Sequence, residues 1–124
     1  MLKVAAYARV STDKDDQINS LTNQREYFES YIKSKGDWEF VEVYFDEGIT
    51  GTQTKKRKGF NRMINDCKNK KIDLILTKEV SRFARNTKDC LKNIRELKSL
   101  GITVFFEKEN IDTAKLSDEM MITI

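Results

Sequence analysis

Histidine is absent from all 124 residues of this chain, and the absence removes several enzyme classes at once. A serine nucleophile of the Ser-His-Asp type needs an imidazole to take its proton, so that chemistry is excluded. The chain also lacks a Gly-Lys-Ser/Thr phosphate loop and a glycine-rich dinucleotide fingerprint. We therefore do not expect a reaction driven by ATP or NAD, and we expect no cofactor.

Long apolar runs and cysteines are also scarce in this sequence. No stretch approaches the roughly 18 apolar residues of a membrane span, and Met1-Leu2-Lys3 leads into a short strand without a signal peptide. The two cysteines, Cys67 and Cys90, fall in predicted helices without metal-ligand spacing, which is typical of reduced core thiols. We expect a cytoplasmic protein without a membrane partner.

Strand and helix patterns alternate along the chain. Strand patterns cover four segments, namely 3–10, 39–45, 72–77 and 103–106. Helical spacing of apolar residues marks three segments between and after the first strands, namely 20–35, 60–67 and the stretch from Asn86 to a cap at Gly101. This order predicts one α/β domain, a three-layer α/β/α sandwich around a mostly parallel sheet of four to five strands.

The second predicted strand and the loop after it carry two local expectations. Alternation divides the apolar residues of the strand between two faces. One face carries Val41, Val43 and Phe45, and the other carries Phe40 and Tyr44. Segment 46–59 contains three glycines and four consecutive basic residues, which is typical of a mobile, basic loop.

Charged and hydroxyl side chains follow three of the predicted strands. Arg9 and Ser11 point to the same side at the end of the first strand, because residues two apart share a face. Asp46 follows the second strand, and Ser81-Arg82 follows the third. Sites in open α/β sheets form beyond the carboxyl ends of strands, so we expect these segments to converge on one edge.

A hydroxyl next to guanidinium groups is suited to phosphate chemistry. Arg9 beside a core strand costs free energy unless it is paired with a phosphate or with a structural partner such as Asp46. Arg82 and Arg85 lie three apart at a predicted helix start, which predicts a shared face near the positive helix end. If Ser11 is a nucleophile, arginines must supply the electrostatic stabilisation, and an anionic phosphodiester is its natural electrophile.

Five short motifs follow one another in a specific order. They are Tyr7-Ala8-Arg9-Val10-Ser11, Ser20-Leu21-Thr22-Asn23-Gln24, Asp46-Glu47-Gly48-Ile49-Thr50-Gly51, Arg57-Lys58-Gly59-Phe60 and Ser81-Arg82-Phe83-Ala84-Arg85-Asn86. In order and spacing this set resembles the serine recombinase family of resolvases, invertases and large serine integrases and transposases. The Ser81-Arg82 pair, where resolvases usually carry Asp-Arg, is more similar to the large serine recombinases.

The resemblance implies a resolvase-like catalytic domain in which Ser11 attacks a DNA phosphodiester. The products would be a 5′-phosphoserine link and a free 3′-hydroxyl. Strands would then exchange by subunit rotation within a tetramer, and the hydroxyls would reverse the attack. Because the ester conserves the bond energy, no ATP is needed. Double-stranded DNA and further copies of the chain, as dimers and tetramers, would be the partners, with no small-molecule substrate.

Four arginines are the candidates for stabilising the charge that builds up on the phosphoryl oxygens. Arg9, Arg82 and Arg85 are the first three, because a guanidinium binds phosphate oxygens in a bidentate manner. Arg57 would move in from the basic loop. The loss of one such donor is expected to cost ~3 kcal/mol of transition-state stabilisation.

Two polar residues complete the candidate site. Gln24 would orient either the phosphate or Arg9, and Asp46 would position arginines or help to move a proton. The acceptor of the serine proton stays open between an arginine, Asp46 and bound water. Asp46, Glu47 and Asp73 do not form a convincing carboxylate cluster, so we do not expect a metal site.

The end of the sequence carries a helix signal. Ser117-Asp118-Glu119 resembles a helix cap with acidic first-turn residues, and an apolar segment, 120–124, follows it. By the family resemblance, 1–124 would be a catalytic domain that is truncated at the start of a long dimerisation helix, without DNA-binding domains, and inactive as a fragment. The alternative is a non-cleaving α/β assembly or regulatory module with the same fold.

Overall fold

The structure, a computed structural model, describes residues 1–10, 21–47, 57–84 and 86–115. Its strands are β1 (Leu2–Val10), β2 (Trp38–Glu47), β3 (Leu74–Thr77), β4 (Thr103–Phe106) and β5 (Ile111–Asp112). Its α-helices are α1 (Leu21–Lys33), α2 (Lys58–Lys68), α3 (Val80–Phe83) and α4 (Thr87–Ser99). The strands form one sheet in the order β2-β1-β3-β4-β5, parallel except for the β4–β5 pair.

Helices cover both faces of the sheet. On one face, Phe28 and Ile32 of α1 lie in a buried cluster with Val4 and other residues of β1 to β3. On the other face, α2, α3 and α4 contribute to a larger cluster; its largest side chains include Tyr7, Tyr44, Phe60, Met63, Phe83, Ile94, Leu97 and Phe106. Because β1 alternates between these clusters, its odd-numbered positions face α2 to α4. The structure thus has the predicted three layers.

The predicted faces of the second strand are confirmed for Val43, Tyr44 and Phe45 and are wrong for Phe40 and Val41. The pairing of β2 with β1 shifts by one residue between Phe40 and Val43, which is a β-bulge. Phe40 therefore packs on the α1 side together with Val43 and Phe45, whereas Val41 and Tyr44 pack on the opposite side. A strict period of two could not show this extra residue.

The predicted basic loop is shorter than the sequence indicated. Asp46 is still part of β2, and Gly59 is already part of α2. Segment 48–56, in the middle of that prediction, lies outside the described residues, and so does the predicted helix after Ser117. The short strand β5 was not predicted, because its two residues carry no periodic signal.

The helix that carries Arg82 ends two residues before Arg85. Arg82 belongs to the four-residue helix α3, and Ala84 then adopts an extended backbone with φ −145° and ψ 154°. A new helix, α4, starts after Asn86, whose side chain accepts a hydrogen bond from the Asp89 amide. The predicted shared face of Arg82 and Arg85 stays a prediction, because Arg85 lies outside the described residues.

The first turn of α2 lies directly against the end of β2 at Gly59. A Cβ added there would lie 1.9 Å from the Phe45 carbonyl oxygen, which is far inside van der Waals contact. We expect Gly59→Ala to displace α2 and to lower the free energy of unfolding by about 1–3 kcal/mol, measured by urea denaturation. Gly36→Ala is the matched control, because its Cβ would meet no atom within 4 Å. Equal unfolding midpoints for the two variants would contradict the predicted clash.

Candidate functional site

The carbonyl oxygen of Arg9, near the end of β1, is the point where three separate segments meet. Gln24 on α1 donates to it through Nε2 at 3.5 Å, and Arg82 on α3 donates to it through Nη1 at the same distance. The chain reaches Ser11 two residues later, but Ser11 lies outside the described residues. The geometry therefore places Gln24 and Arg82 at the strand end from which the predicted nucleophile follows.

The Asp46 carboxylate fastens α2 to the end of β2. Oδ1 accepts from the Gly59 amide at 2.8 Å, and Oδ2 accepts from the Phe60 amide at 3.0 Å and from the Tyr7 hydroxyl at 2.6 Å. Amides in the first turn of a helix lack intrahelical partners, and a carboxylate there also meets the positive end of the helix dipole. Asp46 thus caps α2 from a strand, and it lies opposite Arg9 in the β1–β2 register.

Tyr7 joins the candidate site through its hydrogen bond to Asp46, although the sequence singled it out only within a motif. Burial, together with the hydrogen bond to Asp46, raises the pKa of Tyr7 to about 12. Its hydroxyl therefore stays protonated at neutral pH and remains a hydrogen-bond donor to the carboxylate. The available signal was the spacing, since Tyr7 lies two positions before Arg9 on the same strand.

Arg57 is docked on two aromatic rings at the N-terminus of α2. Its guanidinium carbon lies 3.8 Å from the centroid of the Phe60 ring and 5.4 Å from that of Tyr7. Nη2 also donates to the Phe83 carbonyl, the last residue of α3, at 2.6 Å. A cation on an aromatic face is attracted to the ring electrons, and the hydrogen bond to the Phe83 carbonyl holds the guanidinium further in place. Arg57 occupies the N-cap position of α2, at the end of the segment that was predicted as a mobile, basic loop.

Arg82 is held by an acidic residue that the sequence analysis missed. Its Nε donates to Oε1 of Glu79 at 3.2 Å, and Lys108 donates to the other carboxylate oxygen, also at 3.2 Å. Burial acts in the opposite direction, but the bonds to Lys108 and Arg82 lower the pKa of Glu79. The signal for the Glu79–Arg82 pair was the spacing of three residues within one helical turn.

Comparison with known proteins gives the family. Residues 4–124 match the family model described as Resolvase, N terminal domain. The chain belongs to this family. The predicted resemblance to serine recombinases and the predicted fold class are thereby confirmed, because solved members of this kind superpose on the resolvase domain described here.

Two solved structures show how close the likeness is. A resolvase family site-specific recombinase from Streptococcus pneumoniae is 31% identical with a TM-score of 0.78, over 98% of this chain and 83% of that chain. The N-terminal catalytic domain of TP901-1 integrase is 29% identical with a TM-score of 0.73, over 98% of this chain and 87% of that chain.

The curated relatives are longer than this chain. A Pseudomonas putida protein named "Resolvase/recombinase" is 27% identical over 126 residues, which cover 99% of this resolvase domain and 61% of that protein. The chain spans 61% of that protein's length and 17% of the length of a second curated relative, from Sinorhizobium fredii. Among the described residues, no helix is long and apolar enough to cross a membrane.

Proposed function

We propose that this resolvase domain is the catalytic domain of a site-specific DNA recombinase and that Ser11 is its nucleophile. The Ser11 Oγ forms a bond to the phosphorus of a DNA phosphodiester while the bond from phosphorus to the 3′ oxygen breaks. The serine gives up its proton, and the departing 3′ oxygen takes one. The 5′ phosphate stays on the protein as a serine ester, which a 3′-hydroxyl later attacks to restore the DNA.

The observation that carries this proposal is the convergence at the Arg9 carbonyl. Arg82 and Gln24 both bond to a backbone atom that lies two residues before Ser11. Because Ser11 follows Arg9 by only two residues, a guanidinium at the Arg9 carbonyl supports a role for Arg82 in binding the phosphate that Ser11 would attack. Without histidine in the chain, preorganised guanidinium donors are the means of stabilising the charge that develops on the phosphoryl oxygens.

The proposed roles of the arginines rest on two kinds of support, contacts in the structure and the family resemblance. Arg82 is supported by its bond to the Arg9 carbonyl, and Arg57 by its place beside Tyr7, which faces the same side of β1 as Arg9. We propose that Arg9, Arg57 and Arg82 bind the phosphoryl oxygens. Arg85 has the same proposed role on the family resemblance alone. Arg57 must exchange its bond to the Phe83 carbonyl for the phosphate.

The two other polar residues act by positioning. Gln24 donates to the Arg9 carbonyl, which favours its role in orienting Arg9 over a direct bond to the phosphate. Asp46 already accepts three hydrogen bonds, two of them from the N-terminus of α2. We propose that it positions Arg57 through this cap. An arginine or bound water then remains as the acceptor of the serine proton.

Strand exchange requires more than one copy of the catalytic domain, because two duplexes are cut on both strands. We propose that the domain works within longer chains that assemble as dimers and tetramers on double-stranded DNA. The lengths of the curated relatives support the longer chains, and the family resemblance supports the assembly on DNA. The DNA-binding parts of such chains would supply the site selection.

The proposed function is tested with a nicked duplex that carries a site selected by the full-length protein from a random-sequence pool. We expect a covalent protein–DNA adduct whose cut strand has a blocked 5′ end and a 3′-hydroxyl that a polymerase extends. The alternative, a non-cleaving module with the same fold, predicts bound DNA without an adduct. A stable complex with intact strands would therefore favour that alternative and contradict the proposal.

A further inference from the structure

The turn after β4, residues 107–109, holds the segment between β3 and α3. Its backbone amides donate to the carbonyls of Thr77 at 3.0 Å and Lys78 at 2.7 Å. The Glu109 carboxylate accepts from the Val80 amide, with its oxygens at 3.3 and 3.4 Å from that nitrogen. A helix of only four residues has little stability of its own, so its orientation depends on these outside bonds.

One side chain of this region links the turn to the arginine of the site. The Glu79 carboxylate lies between Arg82 and Lys108 and bonds to each through a different oxygen. Glu79 is 20% exposed and Arg82 is 34% exposed, whereas Lys108 is 70% exposed. The Glu79–Arg82 ion pair is thus better shielded from water and salt than the Glu79–Lys108 pair. It is also the pair that holds the Arg82 guanidinium in position.

The choice of nitrogen matters for what Arg82 can do. Glu79 engages Nε, the inner nitrogen of the guanidinium, and so fixes the plane of the group. The terminal nitrogens lie on the far edge, where Nη1 makes its 3.5 Å contact with the Arg9 carbonyl. A bond of this length lies at the limit of hydrogen-bond geometry and is easily exchanged for a phosphate oxygen.

We propose that Glu79 is a positioning residue for strand cleavage, which it promotes by aiming the terminal nitrogens of Arg82 at the phosphate. This inference rests on the proposed function of Ser11 and Arg82. In this role Glu79 acts on the phosphate only through the guanidinium that it holds. Its effect runs through Arg82 alone, and that property separates it from a residue that only stabilises the fold.

A purely electrostatic view predicts the opposite effect of removing this carboxylate. A negative charge near the site repels the DNA phosphate, so its loss would tighten DNA binding and speed up cleavage. If Glu79 positions Arg82, the loss of the carboxylate makes the chemical step slower even when the DNA is saturating, because a displaced guanidinium binds the transition state less well. The two views therefore differ in the sign of the rate change.

The first test is single-turnover cleavage by the full-length protein at saturating DNA. We expect Glu79→Ala to slow cleavage about tenfold to a hundredfold without weaker DNA binding, and Glu79→Gln to lose less because an amide oxygen still accepts from Nε. In an Arg82→Ala background, Glu79→Ala should cause no further loss. Glu96→Ala is the control, since Glu96 pairs with Lys68 on α2, away from the site. Wild-type rates for Glu79→Ala, or a full second loss in the Arg82→Ala background, would overturn the proposal.

The second test does not depend on cleavage. The Arg82 Nε–H proton can be assigned by NMR from its loss in Arg82→Lys, and hydrogen bonding to a carboxylate should slow its exchange with water. We expect Glu79→Ala to speed up that exchange and to shift the signal. An unchanged signal would overturn the positioning role, whatever the catalytic result. If the wild-type protein forms no adduct while this signal responds, the proposed function fails and the Glu79–Arg82 contact stands.

Discussion

Ser11→Ala should reduce the covalent protein–DNA adduct by at least about a thousandfold, because alanine has no oxygen that can attack phosphorus. No other group is expected to substitute. The chain has no histidine, and burial raises the pKa of the Cys67 and Cys90 thiols to about 12 and about 11, which keeps them as unreactive thiols. DNA binding should persist, since the arginines that we propose bind phosphate are retained.

The matched control for this variant is Ser34→Ala. Ser34 is an exposed serine just after α1, and its hydroxyl donates only a local hydrogen bond to the Tyr31 carbonyl. Gel electrophoresis under denaturing conditions separates the adduct from free DNA and gives its yield. An adduct of wild-type yield in Ser11→Ala, or an equal loss in Ser34→Ala, would remove Ser11 from the mechanism.

Arg82→Ala should slow strand cleavage about a hundredfold or more, with a smaller change in DNA affinity. A donor aimed at charge that develops in the transition state contributes several kcal/mol, and this contribution appears in the rate constant at saturating DNA. Arg82→Lys should recover only part of the rate, because an ammonium group lacks the planar fork that binds two oxygens.

The control for Arg82 is another arginine of the same chain. Arg95 is exposed on α4, and Arg95→Ala removes the same charge away from the strand ends that form the site. Single-turnover cleavage of a labelled duplex gives the rate constant. Equal rates for Arg82→Ala and Arg95→Ala would show that net charge, and not the position of Arg82, determines the cleavage rate.

Much of the fold could be predicted because its signals are local. The apolar run of β1, the helical spacing of Leu91, Ile94 and Leu97, and the cap at Gly101 with φ 80° each act within a few residues. The β-bulge in β2 could not be predicted, since it depends on pairing with a strand more than 30 residues away. The short helix α3 was missed for a similar reason, because the segment that leads into it is held by residues after β4.

The candidate site shows the same division. Arg9 and Asp46 could be found because each stands at the end of a recognisable strand. Which residues they contact depends on tertiary packing. The sequence could not show that Asp46 caps α2, since acidic residues near strand ends are common in any chain. The spacing of Glu79 and Arg82 was a signal for their pair, but it could not show that the pair lies beside the Arg9 carbonyl.

The central claim is that a single hydroxyl at the end of β1 carries the DNA phosphate. The adduct can be trimmed with nuclease, digested with trypsin and analysed by tandem mass spectrometry. Cleavage after Arg9 and Lys14 releases the peptide Val10-Ser11-Thr12-Asp13-Lys14. We expect a nucleotide 5′-phosphate on Ser11 of this peptide. A nucleotide on Thr12, on Tyr7 or on a peptide from elsewhere in the chain would contradict it.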